Sequence, residues 1–206
     1  KFKKIKLIVN KKKKSNSGPI NQLNGLINCY KISKGKIIFL LDSDDFFKKH
    51  KLSSIVKVFQ KNKQLSFIQD TPIFKNFEKA YTSKRKFNLF SIWPRFYPTS
   101  TIAVNRKFFK NFIKISQKKQ FPNLEIDARL SIYAYLKKKF RVSKNKLTIY
   151  NNQTNGISSK YNKFSRNWWK KRLEAYKYTF EVMKNLKIKI KKTPDYYLTK
   201  FINLII

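Results

Sequence analysis

Gly35-Lys36-Ile37-Ile38-Phe39-Leu40-Leu41-Asp42-Ser43-Asp44-Asp45 is the stretch from which the fold can be read. Ile37 to Leu41 is a continuous apolar run. Continuous rather than alternating apolarity predicts a strand covered on both faces, as at the centre of an α/β sheet. The chain turns acidic as soon as that run ends. Ligands of open α/β sheets bind beyond the carboxyl ends of the strands, so Asp42, Asp44 and Asp45 stand where a ligand is expected. Alternation at 42 and 44 sends both carboxylates to one side of an extended segment. The chain has only ten acidic residues, and three of them fall within these four positions. Neighbouring like charges repel. A hard divalent cation, which prefers carboxylate oxygens, offsets that cost. The competing structural reading is that Asp44 or Asp45 caps a helix beginning near Phe46; it accounts for one carboxylate and not for three.

Outward from this element, the patterning alternates between helix and strand. Upstream, Lys6 to Asn10 (KLIVN) reads as a short strand, followed by a lysine-rich loop ending in Ser15-Asn16-Ser17-Gly18-Pro19. Apolar residues at 20, 23, 26, 27 and 30 give helical spacing for Ile20 to Ile32. Gly35 is expected at C′ of that helix. Downstream, Leu52, Ile55, Val56 and Phe59 mark a second amphipathic helix, and Leu65 to Ile68 a strand. Thr71 to Pro98 is irregular. Thr101 to Val104 reads as a strand, Arg106 to Ile115 as a helix, and Leu124 to Leu136 as a helix with Ile126, Leu130, Tyr133 and Ala134 on one side. Phe140 to Val142 and Leu147 to Tyr150 are short strand candidates, and Asn151 to Ser159 a polar loop. A long aromatic-rich helix is expected over Phe164 to Leu186, then a basic tail. The rhythm is that of a layered α/β domain.

Composition bounds the class. The 206 residues suffice for one domain with a core, or one domain and a helical tail. A 41% apolar fraction excludes wholesale disorder. With 49 Lys and Arg against 10 Asp and Glu, the net charge is +39, a field that attracts polyanions. The simpler explanation is codon bias, since Lys, Ile, Asn, Phe and Tyr all have AT-rich codons and the lysines are spread along the whole chain. Cys29 is the only cysteine, so no intrachain disulfide forms, which fits a reducing compartment. No apolar run reaches the length of a membrane span. Both ends read as cut: the first residue is Lys1, and the last residues are apolar.

In this context the Gly35-to-Asp45 element resembles the central motif of family 2 glycosyltransferases, which have the GT-A fold. Asn16-Ser17-Gly18 and Asn24 look like that family's loop and helix beside the donor, and Lys51-Leu52 with Phe59 like its next helix. Asp127, with Leu130 three residues on, looks like its later acidic motif, followed by Tyr150 and Ser158 or Ser159. The likeness runs from about Lys6 to Lys160. It implies a partial GT-A domain over 1–160, lacking the family's opening strand and base-binding motif, and a basic aromatic helical extension over 161–206. Ile126 stands where an acidic residue often precedes the Asp, with Glu125 one position earlier.

The resemblance also implies a mechanism. Asp44, supported by Asp42, would ligate Mn²⁺ or Mg²⁺ that holds the diphosphate of a nucleotide-diphosphate sugar. Asp42, Gly18 and Asn24 would line the donor site. Asp127 would be the general base in an inverting transfer to an acceptor hydroxyl of a polysaccharide or lipid-linked glycan. The plain alternative for Asp127 is a helix carboxylate paired with a nearby Lys. The implied setting is cytoplasmic, in cell-envelope polysaccharide synthesis, with peripheral contact at the inner face of an anionic membrane.

Other residues have ordinary readings. His50 is expected at the surface and Cys29 in the core. Trp93, Phe96 and Tyr97 are candidates for sugar stacking or for packing. Trp168-Trp169-Lys170-Lys171-Arg172, with Tyr176, Tyr178 and Phe180, form a helix suited either to an anionic membrane surface or to packing on the domain. Competing functions are a basic nucleic-acid-binding module, which the charge and interleaved aromatics favour and the acidic cluster opposes, and a catalytically inactive transferase fragment. A P-loop phosphoryl enzyme is disfavoured by the lack of a Gly-rich phosphate loop.

Overall fold

The computed structural model describes residues 5–9, 15–75, 97–117, 121–151 and 161–206. The first regular element is helix α1 (Gly18–Ile32). Its start follows from local chemistry: Ser17 accepts from the Ile20 N–H and Pro19 occupies the first turn, where a missing N–H costs nothing. Strand β1 (Ile37–Phe39) and the two-residue β2 (Phe46–Phe47) flank the acidic segment. Then come helix α2 (Lys51–Lys61), strand β3 (Phe67–Phe74), a 3₁₀ turn (Thr99–Thr101), strand β4 (Ile102–Asn105), helices α3 (Arg106–Ser116) and α4 (Ile126–Leu136), strand β5 (Phe140–Tyr150), and helices α5 (Arg166–Asn185) and α6 (Pro194–Ile205).

The strands form one mixed sheet in the order β1-β4-β3-β5-β2. β3 and β5 are parallel, with Phe67 opposite Phe140; the other pairings are antiparallel. The β3–β5 register jumps between Asp70, opposite Ser143, and Pro72, opposite Thr148. Proline cannot donate to a ladder, and it falls at this break. Alternation along the strands sends side chains to two cores. Phe67, Ile102 and Val104 pack with α1, α3, α4 and α5 on one face. Ile68, Ala103 and Leu147 pack with Ile55 and Phe59 of α2 on the other. The result is the mixed α/β layering expected from the sequence.

Several local expectations change. Residues 5–9 form no strand, and Leu7 is 89% exposed. β1 ends at Phe39 and is only half-buried, because it lies at an edge of the sheet among the described strands. Gly35 is not the C′ residue of α1: Ser33 is the C-cap, and among the described residues no glycine takes a positive φ. No helix begins near Phe46; β2 intervenes and α2 starts at Lys51. The two short strands expected after residue 140 are one interrupted strand, β5. α4 is buried nearly all round, not along one side. α6 follows α5 where a tail was expected. Cys29 is exposed rather than buried. Among the described residues no helix is long and apolar enough to cross a membrane.

Candidate functional site

β1 delivers the chain directly into the acidic segment. Leu40 continues the sheet by donating its N–H to Ile102 O at 3.1 Å, and Asp45 closes a turn through its N–H to Asp42 O at 3.2 Å. The Asp42 N–H donates to Ser100 Oγ at 2.9 Å, and Gln22 Nε2 of α1 donates to Asp42 Oδ1 at 3.2 Å. Burial chiefly raises the Asp42 carboxyl above its usual range; Gln22 opposes this, and the charges of Asp45 and Asp44 add to it. Asp45 has a different task. It is buried, and its Oδ1 accepts the Asn151 N–H at 2.8 Å, tying the acidic segment to the end of β5. Its Oδ2 is buried without a hydrogen-bond partner.

The three aspartates therefore do not act as one group. Among the described residues, no three His, Cys, Asp or Glu side chains gather closely enough to hold a metal ion by themselves. That still leaves a donor set of the right kind. Mg²⁺-type sites commonly take one or two carboxylates and complete the shell with water and substrate phosphates. Half-buried Asp42 and Asp44, and the partnerless buried oxygen of Asp45, are oxygen donors of the kind such a cation takes.

Asp127 comes from the second position of α4, 85 residues downstream of Asp42. Its Oδ1 accepts the Ala128 N–H at 2.7 Å. Burial, then the Glu125 charge, lift its carboxyl to about 7, against the opposing pull of Lys171 and the Ala128 N–H; Asp42 adds to the rise. Tyr150, at the end of β5, lies amid all four carboxylates. Burial first, then the charges of Asp45, Asp127, Asp44 and Asp42, raise its phenol. Asp45 is bonded to Asn151 beside Tyr150, and the charges of Asp42, Asp44 and Asp127 also reach the Tyr150 phenol, so the acidic segment and Asp127 share one electrostatic neighbourhood. Ser17 ties the region further, because its Oγ donates to Pro122 O at 2.5 Å, joining the start of α1 to the turn before α4.

A model of glycosyl transferase family 2 matches residues 2–123 of the sequence. The chain belongs to glycosyl transferase family 2. A search of curated proteins finds no match. Among solved structures, the crystal structure of S. aureus TarS 1-349 in complex with UDP-GlcNAc is similar in fold. The TM-score is 0.51 at 12% identity, over 85% of this chain and 49% of that one. The present chain thus spans about half the length of that neighbour. The family match ends four residues before Asp127.

Within the family 2 frame, the other expected site residues divide. Gly18 opens α1 and is half-buried; Asn24 lies on the same helix, half-buried, but the α1 side chain that reaches the acidic segment is Gln22. His50 is exposed. Tyr97 is buried, and its carbonyl accepts from Gln69 Nε2 at 3.1 Å. Trp93, Phe96, Ser158 and Ser159 lie outside the described residues. On the basic aromatic helix α5, Tyr176 and Tyr178 are buried and Tyr178 belongs to the main core.

Sequence reasoning missed a buried polar group beneath the acidic segment. Lys51 Nζ lies 2.8 Å from Asp70 Oδ1, with both side chains 0% exposed. Lys51 also donates to Ser100 O at 2.6 Å and Thr148 Oγ1 at 2.5 Å. Ser100 is therefore held on both sides, by Lys51 through its carbonyl and by the Asp42 N–H through its hydroxyl. The sequence offered no clear signal, because Asp70 sits in the polar run Gln69-Asp70-Thr71, beyond the strand expected over Leu65 to Ile68; a fully buried charge nonetheless needs a partner.

Proposed function

We propose that this chain carries the catalytic centre of an inverting, metal-dependent glycosyltransferase that moves a sugar from a nucleoside-diphosphate sugar to an acceptor hydroxyl. The observation that carries the reading is that Asp45 of the acidic segment is bonded to Asn151 beside Tyr150, whose phenol also feels the charges of Asp42, Asp44 and Asp127. Family membership and the fold shared with a protein solved with UDP-GlcNAc support it.

In this reading Asp44 and Asp42 hold Mn²⁺ or Mg²⁺. A cation bound there supplies positive charge against the diphosphate that gains charge as it leaves. Gln22 and Ser100 orient Asp42, through the side-chain amide and the hydroxyl respectively. α1, with Gly18 and Asn24, borders the donor. The acceptor oxygen attacks the anomeric carbon as the bond from that carbon to the diphosphate oxygen breaks. Its electron pair leaves with the nucleoside diphosphate. The acceptor proton passes to the Asp127 carboxylate, and a single displacement inverts the anomeric centre. A base effective at neutral pH should titrate near it, and Asp127 is raised to about 7.

The test is transfer, or slow hydrolysis, of UDP-GlcNAc and a panel of other nucleotide sugars by the full-length protein, with and without Mn²⁺. Asp44→Ala and Asp127→Asn are each expected to lower the rate at least about 100-fold while the circular-dichroism spectrum is unchanged. Full transfer by Asp44→Ala would remove the metal assignment, and full transfer by Asp127→Asn the base.

A further inference from the structure

The turn that carries Asp127 into place is gripped by one face of α5. Glu174 accepts the Asn123 N–H at 2.8 Å and Asn123 Nδ2 at 2.6 Å. Three residues earlier on that helix, and so on the same face, Lys171 Nζ lies 2.5 Å from Glu125 Oε2. Tyr161 joins them: its hydroxyl donates to Asn123 Oδ1 at 3.3 Å, and Lys171 Nζ sits 4.4 Å from its ring centroid. Both ends of the 123–125 turn are thereby fixed to α5.

Glu125 is the hinge of this arrangement. It is the N-cap residue of α4, yet its side chain makes no capping hydrogen bond. The ion pair turns it toward α5 instead. Its Oε1 is buried without a partner, so Lys171 is the cation that offsets its charge there. The pair is only 23% and 15% exposed, which spares it most of the screening that weakens surface pairs.

We propose that Lys171 is a positioning residue for Asp127: by drawing the Glu125 carboxylate onto α5 it aims the turn leading into α4 and sets the charge that the Asp127 carboxyl faces. This rests on the reading of Asp127 as the base. Asp127 is bonded to the Ala128 N–H, and the charges that act on it come from Glu125 at its own helix end, Lys171 on α5 and Asp42 of the acidic segment, while its own charge reaches Tyr150 on β5. Glu125 raises its carboxyl and Lys171 lowers it. Removing either partner of one ion pair must therefore move Asp127 in opposite directions.

The experiment follows the Asp127 carboxyl in the full-length protein by carbon-13 NMR of labelled aspartate, without added cation or donor. Its resonance is identified by its loss in Asp127→Asn. Glu125→Gln is expected to lower the titration midpoint by about half a pH unit, and Lys171→Met to raise it by a similar amount. Lys171→Arg is expected to restore the wild-type midpoint. On an active preparation, the acid limb of the kcat profile shifts upward in Lys171→Met while the donor KM stays put. A merely structural pair would lower the melting temperature in both variants without splitting the midpoints. Any result other than opposite shifts overturns the proposal, whatever the transfer assay gives. The base reading fails by its own mark, which is transfer by Asp127→Asn.

Discussion

Lys51 shows how a side chain that looks like solvated surface in the sequence becomes part of the frame of the site. It follows Lys48, Lys49 and His50, and in a chain with 49 basic residues its charge does not stand out, although Lys51-Leu52 matches the family's next helix. In the fold its ammonium is fully buried against Asp70, Thr148 and Ser100, 4.0 Å from the Phe47 ring centroid. Burial pushes Lys51 down and Asp70 up, and the charge of each draws the other back. A buried pair is weak evidence for stability, but breaking it is costly, because the remaining charge has no partner. Lys51→Met is expected to cost about 3–5 kcal/mol in urea unfolding, and Lys51→Met with Asp70→Leu distinctly less. Equal losses in both would mean that the pair contributes only by its packing. The aspartates of the loop were legible because like charges crowded at a strand end are unusual. Lys51 was not, because it opens helix α2 while its partner lies 19 positions away on strand β3, and only the fold brings them together.

At the scale of elements, what the sequence disclosed depended on whether a periodicity was local. α2, α3 and α5 carry an apolar stripe and lie within a few residues of their expected spans. β1 was legible as a strand but not as an edge, since pairing partners are not written in the strand itself. α4 was legible as a helix but not in its packing. It buries Arg129 completely, along with Ser131. Arg129 Nε donates to Leu124 O at 2.8 Å and its Nη2 to Phe121 O, while Tyr178 OH donates to the Arg129 carbonyl at 3.2 Å. A guanidinium from inside the helix thus satisfies the carbonyls of the turn that precedes it. Arg129→Met keeps much of the volume, takes the side-chain donor from the Leu124 carbonyl and leaves Phe121 O only the Leu124 N–H. It is expected to lower stability by about 2–3 kcal/mol, with amide exchange over residues 121–125 accelerating more than in β3. Uniform acceleration along the chain would instead mean that Arg129 supports the core as a whole.

For the whole molecule, a net charge of +39 would suggest that every carboxylate is held well below its usual range. Asp127 moves the other way, to about 7, because burial and the nearby Glu125 outweigh a distant positive field. Screening explains the contrast, since charges beyond about 10 Å contribute little at ordinary ionic strength while desolvation acts at the atom. The consequence for folding has a definite sign. A carboxyl raised from its ordinary value of 3.8 to about 7 keeps its proton in the folded chain over a range where the unfolded chain has lost it. The stability this group supports is complete below about pH 4, falls as pH rises through that window, and is gone above about pH 7. Without added cation, Asp127→Asn should therefore melt above the wild type at pH 8, and the gap should close as pH falls toward 4. Comparing the two proteins at each pH cancels every other titrating group that the substitution does not touch. Parallel melting curves across that range would show that Asp127 is an ordinary exposed carboxylate. An opening gap at high pH would show that the fold gives up stability to hold a carboxyl whose proton is lost only near neutral pH, as functional sites often do.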